Sequence, residues 1–452
     1  MQNGAQTALA YTPGGEVDHY TDPNGKTDYT WDIAGRLTEL KDPSNKTTLY
    51  AYNDNDKRTK TTYPGGTTHS VTLDNSGRPT AIKATSGSTT LIDLAYAYGY
   101  GTGGATDGTK VRTRTDKATA RTTAYTYDAQ ERLTYAKESD TAGTRTASWL
   151  YCFDTAGNMT STTSGTATTC PATPTYTYND ASQLTARDGS STGWSYDLAG
   201  NWTAANPASG TARTGETFSD HAQLTNITTA GTARDLVHAG TTNDERTKLA
   251  NTWFHTTALG LSGTTTGSVD TVFIREPTGT LNSMRTGGKS NYYLTDATGN
   301  VLGLVNDTGT RTHTYDYSPT GTPRPGLTET VVQPYRYAGA YADPTGLYKM
   351  CARYYDRNLG RFTQPDPSGQ DTNPYLHAGG DPINNTDPTG LLFGIDIDID
   401  WGCLASGLGA VGGGLAAAVT VLAAPASGGT TLIATGTLLA GTGSAVSGVE
   451  SC

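Results

Sequence analysis

The chain has 452 residues, of which 55 are Gly, 27 are Tyr and only 16% are charged, so tyrosine must supply most of the large apolar surface of its core. Its net charge of −10 argues against a nucleic-acid binder, because affinity for a phosphate backbone requires a basic surface. Five cysteines without a CxxC pair exclude a dense disulfide framework. The seven histidines are scattered, and the sequence predicts neither a metal site nor a cofactor.

The chain begins MQNGAQTALAYTPGG, which has neither the basic region nor the apolar region of a secretory signal peptide. We therefore expect no ordinary signal peptide in this chain. Further along, Cys152 and Cys170 flank one strand-turn-strand unit and would pair in an oxidising compartment, although two unpaired buried thiols fit the sequence equally well.

Residues 1–334 are predicted to be an array of about a dozen copies of a roughly 20-residue strand-turn-strand unit. Each copy runs aromatic-x-aromatic-Asp, a short variable stretch, then Arg, Asn or Gln, an apolar residue and Thr. Tyr and Thr favour strands, and the frequent Gly, Asn, Asp and Pro exclude a long helix before residue 390. The predicted fold class is therefore all-β. The clearest copies are YTWDIAGRLT (29–38), YTYDAQERLT (125–134), YTYNDASQLT (176–185) and WSYDLAGNWT (194–203).

The first of these copies shows why the pattern predicts a hairpin. Tyr29 and Trp31 fall on one face of a strand because side chains alternate with period two. Asp32 can accept hydrogen bonds from the backbone two residues on, and Gly35 supplies a positive φ angle, so together they close a turn. A unit this small cannot bury its aromatic face alone. We therefore expect consecutive units to pair edge to edge into one long, twisted antiparallel sheet.

These copies resemble the YD repeats of the RHS family, which is shared by bacterial RHS proteins, the C subunits of insecticidal Tc toxins and the teneurin shell. The resemblance covers roughly residues 10–390. It implies a spiralled strip of sheet that curls into part of a hollow shell, with the aromatic face packed in the wall and Thr and Asn facing solvent. Because the array starts near Met1, we expect this chain to supply only part of such a shell.

Residues 335–391 carry the most specific pattern in the chain and resemble the RHS-associated core. The matching parts are a YRYxG opening, an RYYDxxxGRFxxxDP centre and a DPxGL close, with His377 standing where an aromatic residue is typical. In polymorphic-toxin members of the family, this region is a self-cleaving aspartyl protease that cuts directly after the DPxGL run. The resemblance therefore implies at most a single-turnover enzyme that acts on its own chain.

Carried over to this sequence, the resemblance makes Asp366 and Asp387 the carboxylate pair and Arg361 the residue that positions or polarises them. The cut would follow Leu391, and Asp371 is a third candidate that could replace either carboxylate. Two carboxylates held close together cannot both ionise, so one keeps a proton while the other activates water.

A second interpretation of these aspartates remains open, because Asp-Pro is also ordinary turn chemistry. Asp-Pro occurs six times, and the first two instances stand between predicted strands. The six aspartates are Asp22, Asp42, Asp343, Asp366, Asp381 and Asp387.

The composition changes abruptly after the core, and residues 392–452 form an Ala/Gly-rich tail that we predict to be helical. Residues 401–449 contain no charged residue and no His, which excludes the acid–base groups of a conventional enzymatic toxin. Two uncharged stretches, 404–424 and 430–446, predict a membrane-inserting helical hairpin, and a degenerate remnant of a toxin domain is the alternative. The GIDIDIDWG segment at 394–402 predicts a final edge strand.

The sequence thus predicts an RHS-repeat scaffold, secreted or associated with the surface of bacteria, that encloses or presents its tail and releases it in competition between cells. Expected partners are its own tail, an immunity protein, carbohydrate or a cell-surface protein, and a membrane through residues 404–446, but not nucleic acid. The alternative is a surface or secreted module that binds carbohydrate or protein without proteolysis. A third interpretation is an inactive fragment of a longer gene.

Overall fold

A computed structural model describes residues 6–391 except 208, 209, 211 and 370. The regular structure of these residues consists of β-strands and short 3₁₀ helices, without an α-helix, which confirms the all-β prediction. No helix among them is long and apolar enough to cross a membrane. The predicted tail elements, which are the edge strand at 394–402 and the helical hairpin at 404–446, lie outside the described residues.

The strands and 3₁₀ helices follow one another closely along the chain. The strands are β1 (Ala8–Tyr11), β2 (Val17–Asp22), β3 (Gly25–Trp31), β4 (Leu37–Lys41), β5 (Thr47–Tyr52), β6 (Arg58–Thr62), β7 (Thr68–Leu73), β8 (Pro79–Ser86), β9 (Thr89–Ala97), β10 (Thr113–Asp116), β11 (Arg121–Tyr127), β12 (Leu133–Ser139), β13 (Arg145–Phe153), β14 (Met159–Ser164), β15 (Tyr176–Tyr178), β16 (Leu184–Arg187), β17 (Ser195–Tyr196), β18 (Trp202–Ala204), β19 (Arg213–Phe218), β20 (Leu224–Thr229), β21 (Thr232–His238), β22 (Arg246–Leu249), β23 (Thr252–Thr257), β24 (Gly260–Thr266), β25 (Val269–Arg275), β26 (Leu281–Thr286), β27 (Lys289–Thr295), β28 (Val301–Asn306), β29 (Arg311–Thr314), β30 (Tyr341–Ala342), β31 (Tyr348–Met350), β32 (Arg353–Asp356) and β33 (Arg361–Phe362). The 3₁₀ helices are Pro64–Gly66, Thr102–Gly104, Asn243–Glu245, Tyr337–Gly339 and Ala378–Gly380.

The strands pair antiparallel and in chain order. Strands β1–β14 form one sheet, β19–β29 form a second, and β30–β33 form a small third sheet. Between the two long sheets, β15–β16 and β17–β18 are separate hairpins, so the single long sheet that we expected is interrupted. The physical reason is a competing partner, because these hairpins bond to the C-terminal segment: the Trp202 amide donates to the Thr363 carbonyl at 3.0 Å.

The turn chemistry of the repeat is confirmed. The Asp32 carboxylate accepts hydrogen bonds from the backbone amides of Ala34 at 2.9 Å and Arg36 at 3.0 Å, and Gly35 has a φ of 74°. The copies without glycine adopt the same turn, since Glu131 has a φ of 64° and Ser182 a φ of 57°. The turn thus requires a positive φ, and glycine is one way to provide it.

In several hairpins, the second aromatic residue makes a contact that the alternation pattern did not predict. Its polar atom donates a hydrogen bond to a backbone carbonyl of the preceding hairpin, so aromatic residues connect neighbouring repeats as well as filling the core. Five such inter-hairpin hydrogen bonds are Trp31 Nε1 to Val17 at 2.8 Å, Tyr52 to Leu37 at 2.8 Å, Tyr98 to Pro79 at 2.9 Å, Tyr127 to Val111 at 2.7 Å and Tyr178 to Met159 at 2.7 Å.

The arginine of the repeat reinforces the same connection from the turn. Arg132 pairs with Asp128 of its own turn at 2.7 Å, and its guanidinium lies 4.6 Å from the ring centroid of Phe153 in the next hairpin. Arg36 and Arg78 make the corresponding ion pairs and stack on Tyr52 and Tyr98. Each of these three hairpins is therefore fastened to its successor by a charge-assisted and cation–π contact.

Two glycines at equivalent turn positions allow the cost of a close contact to be separated from the cost of a positive φ. A Cβ on Gly200, whose φ is 86°, would lie 2.9 Å from the Tyr375 hydroxyl, whereas on Gly35 the nearest atom is 3.8 Å away. We expect Gly35→Ala to lower the free energy of unfolding by about 1 kcal/mol and Gly200→Ala by about 2–4 kcal/mol. Urea unfolding followed by tyrosine fluorescence checks this, and equal losses would contradict it.

Tyrosines share the packing between the two long sheets with Leu, Ile and Val, so aliphatic residues supply more of this contact than the composition predicted. The Tyr29 hydroxyl donates to the Arg275 carbonyl at 2.7 Å, and the Tyr63 hydroxyl donates to the Tyr293 carbonyl at 2.7 Å. Phenol groups thus bury their rings while their hydroxyls satisfy backbone carbonyls across the interface.

The uncertain cysteine pair is also settled by the structure. Cys152 in β13 forms a disulfide with Cys170, which lies in the segment between β14 and β15. This bond attaches the end of the first long sheet to the segment that leads to the separate hairpins.

Candidate active site

The C-terminal segment, residues 335–391, brings distant parts of its own sequence together. The Phe362 amide donates to the Tyr375 carbonyl, and the Asp366 amide donates to the Pro374 carbonyl, both at 2.8 Å. The Ala352 amide donates to the Thr389 carbonyl at 2.9 Å. Strand β32 therefore lies beside both the turn that begins at Asp366 and the end of the described chain.

Asp366 makes the turn contacts expected for Asp-Pro and further contacts as well. Its carboxylate accepts hydrogen bonds from the Ser368 amide at 3.0 Å, from the Ser368 hydroxyl at 2.6 Å and from the Asp371 amide at 3.4 Å. Burial alone would raise the pKa of Asp366, but the Ser368 hydrogen bonds and the charge of Arg353 outweigh it, and the pKa lies below its ordinary value. Asp366 is therefore the ionised carboxylate of the group.

Asp387 is more deeply buried, with 1% of its surface exposed. Its carboxylate accepts the Leu391 amide at 3.1 Å and the Thr389 hydroxyl at 3.3 Å, and it pairs with Arg353 at 3.2 Å. Burial raises the pKa of Asp387, while the charge of Arg353 and the Leu391 hydrogen bond oppose the rise. Asp387 thus holds a proton more readily than Asp366 does.

Asp371 is partly buried beside the same groups. Burial raises the pKa of Asp371 to about 6, the charge of Asp366 adds to the rise, and the charge of Arg353 opposes it. Because each of the three carboxylates feels the charge of Arg353, the structure brings all three predicted aspartates into one electrostatic cluster. We call Asp366, Asp371 and Asp387 the aspartate cluster.

Leu391, the predicted last residue before the cut, lies against this cluster at both of its backbone groups. Its amide donates to Asp387, and its carbonyl oxygen accepts a hydrogen bond from the Ser368 hydroxyl at 3.0 Å. Ser368 is exposed and Leu391 is partly exposed, so water reaches this carbonyl. The arrangement brings a peptide carbonyl close to one carboxyl group with a lowered pKa, Asp366, and to another with a raised pKa, Asp387.

Arg361 does not take the position that the sequence predicted. Its guanidinium donates to the Ser182 carbonyl at 2.6 Å and lies 4.7 Å from the ring centroid of Tyr375. Among the described contacts, Arg361 reaches none of the three aspartates. The reason is strand geometry: Phe362 pairs with Tyr355 and shares a face with Arg353, so its neighbour Arg361 faces the other way.

Arg353 makes the contacts that we expected of Arg361, and the sequence did not single it out. Besides pairing with Asp387, it donates to the Gly390 carbonyl and to the Pro374 carbonyl at 3.0 Å, and it lies 3.6 Å from the ring centroid of Phe362. Ser368 was also missed. The period-two alternation of RYYD in a strand, together with the Ser of QPDPS, is the signal from which both could have been found.

His377, the departure from the usual aromatic, behaves as an aromatic residue. It is buried, and its ring centroid lies 4.5 Å from that of Tyr355 and 5.5 Å from that of Phe362. Burial, aided by the charge of Arg353, lowers the pKa of His377 to about 3, so the ring is neutral near pH 7. It packs beneath the site and carries no charge into it.

Comparison with known families agrees with the repeat and its turns. The family model described as RHS Repeat matches residues 11–47 and 34–68. The chain carries RHS repeats. The RHS-repeat chain is 37% identical over 127 residues to salivary gland surface protein 1 of Aedes aegypti, covering 27% of this chain and 4% of the relative. It is 35% identical over 121 residues to the tRNA3(Ser)-specific nuclease WapA of Bacillus spizizenii, covering 25% of this chain and 5% of the relative.

The fold of the RHS-repeat chain matches the crystal structure of TcdB2-TccC3-TEV with a TM-score of 0.66 at 17% identity, covering 86% of this chain and 21% of that one. TccC3 is also part of the Photorhabdus luminescens Tc holotoxin pore, which the chain matches with a TM-score of 0.61. The chain therefore spans about a fifth of the matched structure and one-twentieth or less of the two curated relatives. The predicted RHS-type fold is confirmed.

Proposed function

We propose that this RHS-repeat scaffold carries residues 392–452 as a releasable tail and frees it by hydrolysing the Leu391–Leu392 peptide bond. One observation supports the proposal above the others: the Ser368 hydroxyl lies within hydrogen-bond distance of both the Leu391 carbonyl oxygen and Asp366, while the Leu391 amide donates to Asp387. Two carboxyl groups of opposite protonation preference beside one residue of the chain are what acid–base hydrolysis of its peptide bond requires.

The proposed reaction divides the aspartate cluster by protonation. Ionised Asp366 takes a proton from water as the water oxygen forms a bond with the Leu391 carbonyl carbon. Protonated Asp371 or Asp387 gives its proton to the Leu392 nitrogen as the C–N bond breaks. The products are a Leu391 carboxylate and a free Leu392 amine, and the proton bound by Asp366 returns to solvent. Arg353 positions Asp387 and Gly390 and does not touch the reacting atoms.

The rate of this cleavage is expected to depend on pH in a bell shape. The acid must be protonated, so the rate falls as the pH rises through the raised pKa of that group, which is about 6 where the acid is Asp371. The base must be ionised, so the rate also falls as the pH drops through the depressed pKa of Asp366. Cleavage should therefore be fastest in the acidic range below about pH 6.

The test is to synthesise the full chain by cell-free translation, incubate it across the acidic, neutral and mildly alkaline range, and follow intact mass with time. The expected result is a fragment that begins at Leu392 and a larger product that ends at Leu391. A chain that stays full length at every pH would overturn the proposal, and a cut elsewhere would overturn the assignment of Leu391.

The same proposal places the chain outside the cell or on its surface, with the tail as its first partner. Enclosure of the tail, an immunity protein that blocks it, and membrane contact through residues 404–446 are further parts of this proposal. The immunity protein and the membrane would contact the released tail, so both can be assayed with the tail alone, whereas enclosure requires the full chain.

A cavity between the two long sheets favours a second candidate function, the binding of carbohydrate. The cavity has a volume of about 460 Å³, within the size range of small-ligand sites, and its lining includes Trp31, Tyr52, Tyr63 and Tyr293. Sugar rings pack on such aromatic faces. A glycan array should give binding that Trp31→Ala weakens at least tenfold, and an array without any signal would rule this candidate out.

A further inference from the structure

Ser368 lies beside the proposed scissile peptide bond, and the sequence pattern assigned it no role. Its hydroxyl oxygen lies 2.6 Å from Asp366 Oδ2 and 3.0 Å from the Leu391 carbonyl oxygen. It thus stands between the carboxylate that would accept a proton and the oxygen that would gain negative charge. The hydroxyl is therefore within hydrogen-bond reach of the oxygen that would become the oxyanion.

The same turn elsewhere in the chain shows that this placement is not a property of the turn itself. Asp42-Pro43-Ser44 repeats Asp366-Pro367-Ser368, and the Ser44 amide donates to Asp42 at 2.8 Å as the Ser368 amide does to Asp366. Yet the buried Ser44 hydroxyl has no hydrogen-bond partner within the described structure. The turn needs the backbone contact, so the hydroxyl contacts of Ser368 belong to its particular surroundings.

We propose that Ser368 is a catalytic residue of the cleavage, whose hydroxyl donates a hydrogen bond to the Leu391 carbonyl oxygen as that oxygen becomes negative. This inference rests on the proposed function, since it names a further group for the same reaction. It assigns Ser368 the role of polarising the carbonyl and not the role of nucleophile.

A serine hydroxyl has one hydrogen, and the reaction itself would decide which acceptor receives it. Before attack, the ionised Asp366 is the stronger acceptor, in line with the shorter of the two distances. When water attacks, Asp366 takes the proton of the water and loses its charge, while the Leu391 oxygen gains a charge. The hydrogen then turns to Leu391, and the protonated Asp366 can donate to the serine oxygen. The contact to Leu391 is therefore strongest in the transition state, where it accelerates the reaction.

No atom of Ser368 is consumed in this step. Water supplies the oxygen of the new Leu391 carboxylate, Asp366 accepts one proton, and the acid of the aspartate cluster donates one proton to the Leu392 nitrogen. After the C–N bond breaks, Asp366 releases its proton to solvent. The Ser368 hydroxyl, which keeps its own hydrogen throughout, then donates its hydrogen bond to Asp366 again.

The experiment compares cleavage rates of full-length chains from cell-free translation at the pH optimum. Ser368→Ala should slow cleavage at least tenfold. Because Ser368 is exposed, the loss should not exceed the ~10²–10³-fold that is typical when one such donor is removed from an enclosed site. Ser368→Thr keeps a hydroxyl and should stay within a few-fold of the wild type. Ser44→Ala, the matched change in the other Asp-Pro-Ser turn, should cleave at the wild-type rate.

A fourth variant guards against loss of folding. Ser368→Val has the shape of Ser368→Thr without the hydroxyl, and tyrosine fluorescence on urea unfolding establishes that both are folded. If Ser368→Val cleaves as fast as Ser368→Thr, or Ser368→Ala as fast as the wild type, the role of Ser368 is overturned while the proposed cleavage stands. If the wild type does not cleave at all, the proposed function has failed, and this inference fails with it.

Discussion

Asp366→Asn and Asp387→Asn chains are each expected to remain full length under conditions in which the wild-type chain loses its tail. In the first variant, the new amide side chain would keep an oxygen for the turn contacts, but it cannot accept the proton of the attacking water. In the second variant, the amide would keep the Leu391 contact, but it cannot supply a proton. Loss of either function costs about 10²–10⁴-fold in rate. Time courses of intact mass measure the effect.

Asp42→Asn is the matched control, because Asp42 begins the same Asp-Pro-Ser turn far from the site. It should cleave at the wild-type rate. An Asp371→Asn chain distinguishes the two candidate acids. If Asp371→Asn stays intact and Asp387→Asn cleaves normally, the proton donor is Asp371, and Asp387 only holds Leu391. Normal cleavage by Asp366→Asn would contradict the whole assignment of the base.

Arg353→Met is expected to reduce both stability and cleavage, whereas Arg361→Met should affect stability without changing the pH–rate profile. Arg353 is 1% exposed, and its removal leaves Asp387 buried without a cation. Breaking a buried pair in this way costs about 3–5 kcal/mol. The cost depends on pH: the pKa of Asp387 rises further, so the loss of stability grows as the pH increases above the pKa of an unfolded aspartate, about 3.9.

Urea unfolding at an acidic and at a neutral pH, together with cleavage time courses, checks this prediction. The double variant Arg353→Met with Asp387→Asn should recover part of the lost stability, because the uncompensated charge is gone. If the Arg361→Met chain does not cleave and the Arg353→Met chain does, the role that the sequence assigned to Arg361 is restored.

The repeat was predictable because each of its parts acts locally. An Asp that accepts hydrogen bonds from the following amides, and a residue with positive φ three positions on, close the hairpin within one copy, and the structure shows both at Asp32 and Gly35. The interruption after β14 was not predictable, since it depends on the Thr363 carbonyl, which is distant in sequence.

The proximity of the aspartates could be predicted from the sequence, but the arginine that lies beside them could not. Asp366 and Asp387 belong to a spaced signature, so their positions could be transferred from a family pattern. The choice between Arg353 and Arg361 depends on which face of a two-strand hairpin each occupies, and that follows from the pairing of Tyr355 with Phe362. The sequence motif contains both arginines but does not show how strands β32 and β33 are paired.

The inter-hairpin hydrogen bonds from Trp31, Tyr52 and their equivalents have a consequence for how such arrays change length. Each bond reaches one hairpin back and each arginine contact reaches one hairpin forward, so these contacts join only neighbouring repeats. The hydrogen bonds across the two long sheets, such as that from Tyr29 to Arg275, instead join repeats that are far apart in sequence. A copy gained or lost would therefore keep the contacts between neighbouring hairpins but would shift the contacts across the two sheets by one repeat. The length of the array is thus constrained by the opposite sheet and not by the junction between copies.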